Sequence, residues 1–248
     1  MDTQNQNTVS VRSIAQRPEG AVASTRHTVV FLLANLAIAV LGLIRSPIYD
    51  WPITLARPHA RVLLYLQILA LQLLWVGYVW FGMRRSATSM RTLIYDSQWT
   101  GLRWLRYLAI GVTGWIVYLA IGAGLSAMLH PSPEALRSMQ AMLPKTSSER
   151  ALWAAFALTA GVCEEIVYRG YLLRQFRALT GSTFAALILQ ALGYCVVHLA
   201  LPIQFLAAVA ALGLLLGGLA VWQKSLVPGM ILHVAVGLAA LIQPGGQQ

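Results

Sequence analysis

Residues 146–174 read TSSERALWAAFALTAGVCEEIVYRGYLLR, and the fold turns on this stretch. Thr146-Ser147-Ser148-Glu149 is a T-x-x-E capping box, in which each side chain accepts from the other residue's backbone N–H, so a helix starts here. From Ala151 onward the chain is apolar almost without a break. At 1.5 Å per residue the run is long enough to cross a hydrocarbon core of ~30 Å. In its middle stand two adjacent acids, Glu164 and Glu165, with Arg169 four residues further on. An acid at the centre of a membrane helix costs about 2.5–3.5 kcal/mol on insertion scales, and such groups mark function by default. Two side by side need a strong reason.

The rest of the chain supports a membrane setting. Of 248 residues, 58% are hydrophobic and 10% charged, with a mean hydropathy of +0.65. A soluble domain carries about 25% charged residues. Disorder and an ordinary soluble globule are excluded. Two cysteines, Cys163 and Cys195, are too few for a disulfide scaffold and fall inside apolar runs. Further apolar segments lie at 28–44, 62–83, 107–129, 183–201, 203–222 and 226–242, which with 151–174 predicts an all-α bundle of about seven spans. The first is read as an uncleaved span, because no small-x-small cleavage pattern follows it cleanly. Trp51, Trp80, Trp99, Trp104 and Trp222 stand near span ends as interface anchors.

This divides the chain into a flexible polar tail over 1–27, membrane spans and loops over 28–145, a functional core over 146–242 and a short tail over 243–248. The connection 130–150, broken by Pro131, Pro133 and Pro144, is expected as a surface loop. The net charge of +10 does not indicate nucleic acid, since the arginines punctuate the ends of apolar runs. On alternate sides Arg and Lys number 12 against 6. The positive-inside rule puts the N-terminus in the cytoplasm and the C-terminus outside. The bias of the basic residues towards Arg, 16 of 18, suits a GC-rich bacterial genome and hence a bacterial inner membrane.

Six of the eight acids lie in tails or loops; only Glu164 and Glu165 lie within a span. Arg169 shares the face of Glu165 at i, i+4, acid first, which favours an ion pair. Glu164 points about 100° away. One carboxylate is thus neutralised, and the other is left free to serve as a general base. His198 and His233 are the histidines inside spans, where buried imidazole is costly and rare. In a hairpin turning near 179–182, Glu164 stands 16 residues before Thr180 and His198 18 residues after it. The two are then within about 3 Å of one depth. His233 joins them if the hairpin projects beyond the membrane surface. Gln190, Tyr194 and His198 recur at i, i+4 and i+8 as a polar stripe.

One carboxylate and two imidazoles can activate a water and stabilise an oxyanion, as peptide hydrolysis requires. Glu164, His198 and His233 also match a three-ligand zinc site with an open position. Other intramembrane protease chemistries fit less well. Gly124-Leu125-Ser126 is followed by Ala127 rather than the Gly of a G-x-S-G motif, no Asp lies in a span, and no H-E-x-x-H is present.

These residues resemble the CAAX-protease and bacteriocin-processing family, also called Abi. Its motif E-E-x-x-x-R is matched by Glu164, Glu165 and Arg169. Its F-x-x-x-H is matched by Tyr194 to His198, with Tyr in place of Phe. Its H-x-x-x-N is half matched, since His233 is followed by Gly237. The resemblance covers residues 146–242. It implies an intramembrane endopeptidase of glutamic or metal-dependent type, acting on a membrane-anchored, lipidated or exported peptide. Glu164 would be the water-activating base with His198 beside it, Glu165 and Arg169 the structural pair, and His233 an oxyanion donor. The Tyr194 hydroxyl would supply the donor that Gly237 cannot. The alternatives are a non-catalytic scaffold or self-immunity protein of the same fold, and a proton-coupled transporter using Glu164. The transporter reading lacks visible repeats.

Overall fold

The structure is a computed structural model that describes residues 20–45, 50–94 and 100–242. The tail before residue 20, Trp99 and the tail 243–248 lie outside the described residues. All regular structure among them is helical: α1 (Thr25–Arg45), α2 (Trp51–Thr54), α3 (Ala60–Arg85), α4 (Arg91–Ile94), α5 (Gly101–Leu129), α6 (Pro133–Met142), α7 (Ser147–Glu164), a π-helical segment (Glu165–Leu172), α8 (Leu173–Thr180), α9 (Thr183–Val196), α10 (Ile203–Gln223) and α11 (Val227–Ala239). Among the described residues, five helical stretches are long and apolar enough to cross a membrane: Thr25–Ile44, Ala60–Arg85, Gly101–Leu129, Ser147–Thr180 and Ile203–Gln223. The all-α membrane bundle is as expected. The remaining two apolar segments are shorter, at 14 residues for α9 and 13 for α11. Each extends only about 20 Å.

Several boundaries differ from the sequence reading for local reasons. The 130–150 connection is not an irregular loop. Ser132 caps α6 by accepting from the Ala135 N–H, and Pro133 occupies the first turn, where its missing N–H costs nothing. The capping box forms as expected, with Glu149 Oε2 accepting from the Thr146 N–H at 3.1 Å. Glu149 also takes a hydrogen bond from Arg61, 3.0 Å away, which ties α7 to the start of α3. The stretch 1–27 is not all tail. Helix α1 begins at Thr25, and Ala21–Ala23 are buried. The Gln175 carboxamide on α8 accepts from the N–H groups of Val22 and Ala23 and donates to the Ala23 carbonyl at 2.9 Å.

Packing centres on α11, which lies against α7, α5 and α10. Its approach is made possible by glycines on its neighbours. A Cβ at Gly111 would meet Ile231, one at Gly114 would meet Leu232, and one at Gly161 would meet Val234. Small residues at membrane helix contacts admit close approach of this kind. Gly213 and Gly217 likewise face α9, whereas Gly218 faces open space. Around the π segment, α1 and α3 contribute an aromatic cluster, with His27 stacked on Tyr78 at 3.9 Å. Thr28 and Tyr171 share a hydroxyl–hydroxyl bond of 2.8 Å that joins α1 to the π segment. Outward, leucines such as Leu33, Leu63, Leu73 and Leu105 remain exposed, as suits contact with lipid tails.

Candidate active site

Glu164 is the last residue of α7 and Glu165 the first of the π segment. Adjacent in sequence, they face different neighbours. Glu165 is fully buried, and its Oε1 lies 3.0 Å from Arg169 Nη1 and 3.0 Å from His233 Nδ1. The ion pair read from the i, i+4 spacing is present, although the local helix is π rather than α. Arg169 is 1% exposed. It also donates to the Gly213 carbonyl at 3.4 Å, and its guanidinium carbon sits 4.5 Å from the Tyr194 ring centre. The Gly213 carbonyl takes a second donor from Gln190 Nε2 at 2.9 Å. A cation so enclosed holds its carboxylate partner in place.

Glu164 turns towards α3. Its Oε1 accepts from Gln72 Nε2 at 3.2 Å, and Gln72 Oε1 in turn accepts from the Thr159 hydroxyl at 2.7 Å. Its Oε2 lies 3.7 Å from His233 Nε2. The Glu164 side chain keeps 17% exposure where Glu165 has none. Glu164 is thus held by a neutral amide rather than by an arginine, and it remains reachable.

His233 lies between the two acids. An ionised carboxylate only accepts, so Nδ1 carries the proton shared with Glu165. Nε2 then faces Glu164 Oε2 and the Tyr194 hydroxyl, the latter at 3.3 Å. Glu165 thus has a second partner beyond the ion pair read from the sequence: the same oxygen that binds Arg169 also bonds the imidazole.

His198 is placed differently from the expectation. Helix α9 ends at Val196, so His198 lies in the turn beyond it and not within a helical span. Its Nδ1 lies 2.9 Å from the Tyr194 carbonyl, while its own N–H bonds the Cys195 carbonyl. The ring replaces the backbone donor that a continuing helix would have supplied, and α9 stops. His198 makes no direct bond to Glu164 among the described residues; it reaches the cluster through Tyr194, ring to ring at 4.7 Å. Glu164, His198 and His233, which match a three-ligand set in the sequence, are not grouped to hold an ion in this arrangement. No three His, Cys, Asp or Glu side chains among the described residues are grouped to hold a metal ion.

Position 237 has its own explanation. A Cβ there would come within 2.7 Å of the Ala157 Cβ, and the Gly237 carbonyl accepts from Trp153 Nε1 at 2.8 Å. Gly237 is a contact point between α11 and α7, and asparagine does not fit this packing. The functional neighbour that sequence reasoning missed is Gln72. It belongs to no motif and lies 92 residues from Glu164; its only signal was a polar amide in the middle of an apolar run.

Residues 146–239 match the family model described as type II CAAX prenyl endopeptidase Rce1-like. The chain carries an Rce1-like segment. Its limits coincide with structural ones, from the Thr146 cap of α7 to Ala239, the last residue of α11. The CAAX-protease-like resemblance therefore holds for this segment, and with the long apolar helices it supports a membrane protein. No curated protein and no solved structure matches the chain. Gln72 lies outside the Rce1-like segment and yet donates to its Glu164.

Proposed function

We propose that this protein is an intramembrane endopeptidase that hydrolyses a peptide bond in a membrane-anchored, lipidated or exported substrate, with Glu164 as the general base. The observation that carries this reading is the division of labour between neighbouring acids, one buried and bonded through Oε1 to both Arg169 and His233, the other more exposed and held by a neutral amide beside the same imidazole. Glu164 takes a proton from water as the oxygen attacks the scissile carbonyl, then passes it to the departing amine. His233 donates from Nδ1 to Glu165 and stands 3.3 Å from the Tyr194 hydroxyl at Nε2. A Tyr194 hydroxyl turned to the scissile carbonyl donates to the developing oxyanion, a contribution of about 2.7–4 kcal/mol where such donors are removed elsewhere. His198 fixes the end of α9 and so the placement of Tyr194. In this scheme Tyr194 takes the role that the absent Asn at 237 would have had. The positive-inside count supports a cytoplasmic N-terminus.

Comparison of membrane-protein termini in cells producing wild type or Glu164→Gln tests the assignment. A site-specific cleavage that disappears in the variant at equal protein level is expected. The packed Gly237 favours a second reading, a non-catalytic scaffold or immunity protein of the same fold. Identical termini in the two strains would select it.

A further inference from the structure

A second polar feature lies where α8 turns into α9 and α10 turns into α11. A cleft of about 560 Å³ opens there, with Arg174, Arg177 and Lys224 among its lining residues and with apolar walls that include Val221 and Leu226. No carboxylate occurs among its described lining residues. The buried Arg169 also lines it, and its Nε has no hydrogen-bond partner among the described residues. Leu226 caps the N-terminus of α11, so the positive end of that helix dipole adds to the cationic field. Beside Val221, Trp222 is 65% exposed at the end of an apolar helix. Tryptophan in that position marks the headgroup level of a bilayer. Lys224 adopts φ +50°, a left-handed conformation that glycine takes without strain.

We propose that this cleft binds the head group of an anionic phospholipid. Cations around apolar walls at the end of membrane helices offer a phosphate its charge partners and the adjoining acyl chains an apolar surface. A soluble anion would need only the charges. The orientation from the positive-inside count places the cleft in the cytoplasmic leaflet.

The test uses the full-length protein purified from nanodiscs of phosphatidylcholine with or without phosphatidylglycerol, and native mass spectrometry of the lipid retained. Wild type should keep one phosphatidylglycerol under delipidation that strips phosphatidylcholine. Lys224→Gly should weaken that retention roughly fivefold, and the Arg177→Gln/Lys224→Gly double variant roughly thirtyfold, about one charge each near the surface. Because Lys224→Gly relieves the left-handed backbone, its thermal midpoint should not fall. Equal retention of the two lipids would overturn the proposal, as would unchanged retention in Lys224→Gly. Displacement of phosphatidylglycerol by inorganic phosphate alone at millimolar concentration would also overturn it, and would make the cleft a soluble-anion site.

Discussion

Helix α5 and the helix running from Ser147 through the π segment to Thr180 are both long enough to span a bilayer, but they use their residues in opposite ways. In the most apolar window of α5, 11% of residues are buried in the protein; in that of Ser147–Thr180, 50% are. Helix α5 is the more hydropathic, at 1.9 against 1.4. It is a wall, with leucines turned to lipid and Gly111 and Gly114 turned inward to admit α11. The second helix is an axle, enclosed by α3, α9, α10 and α11, with Glu165, Arg169 and Gln175 turned inside. Hydropathy reports how a helix enters a membrane. The polar residues it keeps despite that report what the helix does there.

The largest contrast is expected at Glu164. Glu164→Gln keeps the size and the Gln72 neighbour but removes the base, so the cleavage rate should fall by roughly 10²–10⁴ while abundance holds. Retained turnover in a purified assay would remove Glu164 from the mechanism. Arg169→Ala leaves the buried Glu165 with His233 alone and should destabilise the fold by about 3–5 kcal/mol, read as a lower thermal midpoint and reduced abundance. A wild-type midpoint would show that the axle does not depend on its internal ion pair.

Smaller effects follow further from the charges. Gln72→Leu strips Glu164 Oε1 of its donor and leaves the Thr159 hydroxyl with the Ala155 and Phe156 carbonyls alone. It should cost about 1–3 kcal/mol in transition-state stabilisation, with little change in thermal midpoint. A fall in midpoint without loss of rate would make Gln72 a packing residue only. Gly237→Ala overpacks the α7–α11 contact by one methyl and should lower stability by about 1–3 kcal/mol; Ala157→Gly in the same chain should restore it. On the wall, Leu105→Ala exchanges one lipid-facing residue for another and should stay within about 0.5 kcal/mol of wild type. A larger loss would mean that α5 packs against protein where the structure leaves it exposed.

The two helices also differ in how legible they were. The acidic pair and Arg169 stand out because a charge in an apolar run is improbable without a use, and the capping box is a local signal that the helix obeys. Helix α5 was legible from hydropathy alone. Gln72 was not, because a single amide 92 residues away carries no periodicity and acquires meaning only through the α3–α7 contact. The end of α9 was also hidden. Residues 197–201 continue the apolar pattern up to Pro202, and the stop comes from the His198 ring occupying the Tyr194 carbonyl, a choice between two donors that composition does not record. The π segment has no sequence signature comparable to a cap.

That segment sets a phase. A π turn accommodates a residue that an α turn would not, so the chain beyond Leu172 is rotated relative to an uninterrupted helix. Winding the same residues as an uninterrupted α-helix would swing everything downstream by roughly 100°. Gln175 would then leave Ala23, where it fastens the amino-terminal segment. The wide turn thus keeps the acidic end and the Gln175 end of this helix in register with different neighbours at once. Its winding is therefore a tighter specification than most of its letters.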